Sequence, residues 1–140
     1  MRMPHMRSRQ KKRYKRRQTS HKRINSRGHG KIAKKYGDSL EINFSIDGAS
    51  HDVNWKYREG VDWQRAMDNM TSYTKAGGSG SWWFIIFEWN HHQLLEASKM
   101  AKNIGIDIVF RYNERLFGLI TPESKIKADA IIEKHGLLLL

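Results

Sequence analysis

The chain contains no cysteine. That excludes disulfides, a thiol nucleophile, a Cys-based zinc site and an iron–sulfur cluster held by its own thiolates. It is consistent with a cytoplasmic setting. Proline occurs only at Pro4 and Pro122, so little of the chain is barred from regular structure by ring constraint. No apolar run approaches the roughly 20 residues needed to cross a bilayer; the longest are Trp82–Phe87 and Leu137–Leu140. A membrane partner is therefore not expected. The N-terminus is cationic but lacks the apolar segment of a secretory signal.

Acidic residues are missing from one stretch altogether. Residues 1–36 hold 15 Lys and Arg and no Asp or Glu, whereas residues 37–140 carry a net charge of −3. The overall +12 thus belongs to the first quarter of the chain. That quarter has few large apolar side chains and cannot bury enough surface to offset its ordering entropy. Residues 1–36 are expected to be a disordered basic tail, and residues 37–140 a single α/β domain, the most that 140 residues accommodate.

Within the body, Leu40–Ile46 alternates apolar and polar residues as a strand does, and Asp47-Gly48 ends it. Trp63, Ala66, Met67, Met70 and Tyr73 recur at helical spacing across residues 61–76. Gly77-Gly78-Ser79-Gly80 reads as a flexible turn; it precedes a strand rather than a helix and so lacks phosphate-loop geometry. Trp82–Phe87 is apolar without interruption, which predicts a strand buried on both faces. Asn90 is placed to cap a helix over 91–104 that closes at Gly105, and Ile106–Phe110 forms a further strand. Thr121 and Pro122 open a last helix that closes at Gly136. Strands alternating with helices imply a parallel sheet. About three strands and three helices make only part of a (β/α) barrel.

Polar residues just past the strand ends are the candidate site. Ser45 and Asp47 lie two apart on extended chain and share a face. They would suit a ribose or an amino group, or Asp47-Gly48 simply makes the turn and Ser45 packs. Residues 49–60 are long for a strand–helix connection and carry Arg58. Its fork fits a carboxylate or phosphate, or pairs with Glu59 or Asp62. Glu88 and Asn90 share a face at the next strand end, and Glu88 also suits the first turn of a helix. Trp55, Trp63, Trp82, Trp83 and Trp89 form a set able to stack a base or fill a core. His91 and His92 point to different helix faces and make no metal pair with His51; no metal site is expected.

In order and spacing, the strand ending Ser45-Ile46-Asp47-Gly48, the loop ending Tyr57-Arg58, the Gly60-Val61-Asp62-Trp63 segment, and the strand leading to Asn90 with an Ala- and Leu-rich helix behind it resemble the radical S-adenosylmethionine superfamily. The similarity covers about residues 40–113 and is greatest to the branch whose barrel precedes an auxiliary-cluster domain. It implies contacts to S-adenosylmethionine from Ser45 and Arg58, with Asp47 and Asn90 beside them. The family's CxxxCxxC motif, which binds a four-iron four-sulfur cluster, and its Gly-Gly-Glu element are absent from these residues. The resemblance therefore implies a fragment or remnant without catalytic residues of its own, either an incomplete reading frame or a chain whose partner supplies the cluster half. A different reading is a small basic nucleic-acid-binding protein whose Lys11, Lys12, Arg13, Lys15, Arg16 and Arg17 contact phosphates, as a virion- or ribosome-associated protein also would.

Overall fold

The computed structural model describes residues 26–113 and 119–140. Residues 1–25, including the Lys11–Arg17 cluster and most of the predicted tail, lie outside this range. The tail boundary at residue 36 needs correction. Ser26–Tyr36 is a helix, α1, with His29 and Ala33 buried one turn apart. These two, one of them polar, and the half-buried Ile32 meet the core from among two glycines and several cations. The apolar periodicity that marks a buried helix is too weak there to read.

After a short 3₁₀ turn come β1 (Glu41–Ser45), α2 (His51–Trp55), α3 (Trp63–Lys75), β2 (Ser79–Ile86), a 3₁₀ turn at His91–Gln93, α4 (Leu94–Ile104), β3 (Asp107–Tyr112), α5 (Pro122–Lys134) and β4 (Leu138–Leu139). The strands form one parallel sheet in the order β1-β2-β3-β4. The expected α/β architecture holds and is compatible with a partial barrel. Among the described residues there are four strands and five helices rather than about three of each. The extra strand is two residues long and consists of leucines that sequence patterning leaves ambiguous. The loop 49–60 is not open chain either, since the five residues of α2 lie within it.

Local chemistry accounts for the long helices. Asp62 caps α3 by accepting from the Arg65 N–H at 3.1 Å, and Ala66, Met67, Met70 and Tyr73 then face inward. Thr121 caps α5 by accepting from the Ser124 N–H at 3.1 Å, with Pro122 in its first turn. Gly105 ends α4 at φ 89°, a left-handed value open to glycine at little cost. None of the described helices is long and apolar enough to cross a membrane.

All the helices that build the core lie against one side of the sheet. Ile42, Phe44 and Ile46, then Trp82, Phe84 and Ile86, then Ile108 and Phe110 are buried with Met70, Tyr73, Leu94, Ala97, Ala101 and Ala128 in one cluster. The alternate positions Asn43, Ser45, Ser81, Trp83, Ile85, Val109 and Arg111 are only half-buried and belong to no such cluster. The expectation that Trp82–Phe87 is buried on both faces is thus corrected: Trp83 and Ile85 are half-buried on the side that no described helix covers. The predicted glycine turn is corrected too, because Ser79 and Gly80 begin β2. A Cβ on Gly80 would collide with the Ile42 carbonyl oxygen of β1, so glycine there permits the two strands to pair. The Tyr73 ring lies under Gly78, and its hydroxyl reaches Ser79 O at 2.6 Å and Leu40 O at 3.0 Å.

Candidate functional site

The strand ends carry a dense polar network centred on Asp47, which is fully buried. Its Oδ1 accepts from the Ile85 N–H at 2.8 Å and its Oδ2 from Arg58 Nε at 2.7 Å. Its own N–H donates to Asn54 Oδ1 at 2.8 Å, and its carbonyl accepts from Asn90 Nδ2 at 3.0 Å. Gly48 allows this because a Cβ there would strike the backbone of α2 at Asn54, 2.6 Å away. The adjoining loop is held by Gln93, which accepts from Ala49 N–H and donates to Ser50 Oγ, and by the Trp63 indole, which donates to Gly48 O.

Arg58 sits beside this carboxylate with its side chain only 9% exposed. Its guanidinium lies 5.7 Å from the Tyr57 ring centre. Tyr57 packs on Phe87 at 4.5 Å, and Phe87 stacks on Trp89 at 4.6 Å and 17°. Burial pushes the Asp47 carboxyl above its usual range, opposed by the Arg58 charge and the Ile85 amide. Burial also pushes the Tyr57 phenol up; Arg58 opposes this and Asp47 adds to it.

Asn90 is buried and does not cap a helix. Its Oδ1 accepts from Phe87 N–H at 2.7 Å while Nδ2 also donates to Ile85 O at 2.8 Å, so the side chain ties the end of β2 to β1. Ser45 is different. It is half-buried on the uncovered side of the sheet, opposite Trp83 in the β1–β2 register. Of the four sequence candidates, Asp47, Arg58 and Asn90 are thus brought into one network, and Ser45 stands on the face beneath it. Sequence reading missed Asn54 and Gln93, whose amides complete the network; a polar residue inside a loop or an Ala- and Leu-rich helix carries no periodic signal. Asn54 Nδ2 and Trp89 Nε1 are buried without a hydrogen-bond partner among the described residues.

Glu88 turns away from this network. Its Oε2 accepts from Thr121 N–H at 2.9 Å and its Oε1 from Ser124 Oγ at 2.7 Å. These bonds, the Thr121 amide first, hold its carboxyl below the ordinary value of 4.5. A depressed carboxyl contributes stability that is present above its unfolded value and lost as the pH falls through the folded one. Amide exchange at Thr121 and Ser124 is therefore expected to quicken as the pH drops below about 4.5, after correction for intrinsic rates. Glu88→Gln should remove that pH response.

The sequence matches no protein-family model and no curated protein. Among solved structures, the fold is similar to the crystal structure of SuiB from Streptococcus suis and to that of SuiB bound to S-adenosylmethionine. Each match has a TM-score of 0.53 at 12% identity and covers 71% of this chain. The chain spans 26% of SuiB.

Proposed function

We propose that this chain is the cofactor-positioning part of a radical S-adenosylmethionine-type barrel and binds S-adenosylmethionine at the ends of β1 and β2. The observation that carries the reading is the placement of Ser45 on the uncovered sheet face below the buried Asp47–Arg58 pair. The likeness of the fold to part of SuiB, a radical S-adenosylmethionine enzyme, supports it. In this reading the Ser45 hydroxyl meets the ribose. The terminal nitrogens of Arg58 take the carboxylate, while Asp47 holds Nε and so sets the direction of the fork. Asp47 and Asn90 are positioning residues, since the groups of each that could meet a ligand already hold other parts of the chain.

An iron–sulfur cluster does not fit the residues present, because these 140 residues include no thiolate to hold one. Reductive chemistry on S-adenosylmethionine would need cluster ligands supplied by another polypeptide segment. The function assigned to these residues is therefore binding and orientation.

Isothermal titration of S-adenosylmethionine into the full chain tests the reading. Ser45→Ala is expected to weaken binding about 5- to 10-fold, the effect of one lost hydrogen bond. Arg58→Lys, which keeps the charge facing Asp47 but not the fork, is expected to weaken it at least as much. Absence of binding heat at millimolar ligand, with circular dichroism showing a folded protein, would remove the proposal.

A further inference from the structure

Helix α1 brings cations to the surface without acids to match them. Ser26–Tyr36 contains Arg27, Lys31, Lys34 and Lys35 and no Asp or Glu. Lys31, Lys34 and Lys35 are exposed, and among the described residues they take part in no salt bridge. The helix is seated on the end of α3, where Gly30 stands against Ser72 and Ala76. Lys75, beside Ala76 in sequence, is exposed as well. Residues 1–25 hold further Lys and Arg but no acid, so nothing upstream can neutralise this surface. Outside the described residues the only acid is Glu114, which comes two residues after the end of β3, whereas α1 leads into the start of β1. Asp38 and Glu41 follow the helix, both exposed, and neither forms a salt bridge with its lysines among the described residues.

The same helix indicates which polyanion fits. Residues 31, 34 and 35 are three and four apart and so lie on one side of a helix, a compact set of point charges suited to neighbouring phosphates. Tyr36 ends the helix 45% exposed, with Lys35 Nζ 5.2 Å from its ring centre. An exposed aromatic ring among lysines is a platform for an unpaired base, which a single strand offers and a duplex hides. A helix that lies on a membrane sinks its apolar side into the lipid. That side of α1, with His29, Ile32 and Ala33, already faces the core. An acidic protein would meet the lysines but brings no base for Tyr36.

We infer that the exposed face of α1 is an interface for single-stranded nucleic acid, with Lys31, Lys34 and Lys35 holding phosphates of the strand and Tyr36 stacking one base. The Lys11–Arg17 run, which precedes the helix in sequence, supplies cations for further phosphates. The interface does not rest on S-adenosylmethionine binding: α1 leads into the first residue of β1, and the Asp47–Arg58 pair lies past the last.

Fluorescence anisotropy of a labelled oligouridylate with the full chain, repeated over a series of salt concentrations, tests this. Each variant is checked for fold by circular dichroism. Lys31→Gln, Lys34→Gln and Lys35→Gln combined should lower the slope of log affinity against log salt by about 2, since each phosphate contact on a single strand contributes about 0.7. The three corresponding Lys→Arg changes should leave the slope as it is. Tyr36→Ala should weaken binding about 5- to 100-fold at fixed salt with the slope unchanged, and Tyr36→Phe should not. No binding by the wild type, or an unchanged slope in the glutamine variant, would overturn the inference, the second by leaving the strand to residues 1–25 alone. Indifference to Tyr36→Ala, with polyglutamate of equal charge displacing the oligouridylate as well as unlabelled strand does, would reduce the face to a general attractor of polyanions and overturn it too. So would vesicles containing phosphatidylserine that bind through the same lysines when the oligouridylate does not.

Discussion

Asp47→Ala is expected to destabilise the protein by about 3–5 kcal/mol, the usual result of removing one partner from a buried ion pair. The substitution leaves Arg58, 9% exposed, without its carboxylate, and it orphans the Ile85 N–H near the C-terminal end of β2. Urea unfolding followed by tryptophan fluorescence reads the loss directly; a change under about 1 kcal/mol, no more than a surface pair contributes, would show that the pair does not hold the strand ends. The pair is not by itself a source of net stability. Burial raises the Asp47 carboxyl above its unfolded value of 3.8 despite Arg58 and the amide. A raised carboxyl contributes stability below the unfolded value and loses it as the pH rises through the folded one. Ionising Asp47 in place therefore costs more than Arg58 returns. It follows that Asp47→Asn combined with Arg58→Met should recover much of what Asp47→Ala loses, because no buried charge is then left alone. The pair fixes geometry, and the ligand-facing end of Arg58 is what that geometry serves.

Asn90→Ala is expected to cost about 3 kcal/mol, with the loss concentrated at one end of the sheet. Asn90 meets three buried backbone groups: Phe87 N–H, Ile85 O and Asp47 O. An unsatisfied buried donor costs about 1–3 kcal/mol, and the two carbonyls add to it. Hydrogen exchange separates this from a general loosening. Protection at Phe87 and at the Asp47–Ala49 segment should fall more than protection at Phe44 or Phe110 in the middle of the sheet. Asn90→Asp, which buries a carboxylate against the Ile85 and Asp47 carbonyl oxygens, should cost at least as much as alanine at neutral pH. Uniform loss of protection along β1 and β2 would contradict the role assigned to this side chain.

These two residues mark where sequence reading stops. The α/β class, the C-terminal end of α4 and the start of α5 followed from Gly105, Thr121 and Pro122, whose cap chemistry is local. The core positions of β1 followed from alternation. What was not legible depended on partners far along the chain. Asn90 has the composition and position of a helix cap, and only the approach of β1, 43 residues earlier, makes it a cross-strand clasp. Arg58 has Glu59 and Asp62 just after it in sequence, yet its partner is Asp47, 11 residues back. Gly80 looked like one more glycine of a turn until the Ile42 carbonyl was placed against it. Trp83 and Ile85 are as apolar as Trp82 and Phe84, so composition could not reveal that one side of the sheet is left uncovered.

The one-sided sheet also has a hydration consequence. Trp83, Ile85 and Val109 keep contact with water in the folded chain, so that surface contributes little to the heat-capacity change of unfolding. Anything that covers them must expel that water, and burial of apolar surface on association gives a negative heat-capacity change. Titrations repeated across a range of temperatures would therefore separate a ligand that lies on the sheet from one that touches only Arg58 at its edge. The first carries that temperature signature; the second, held by polar contacts alone, does not.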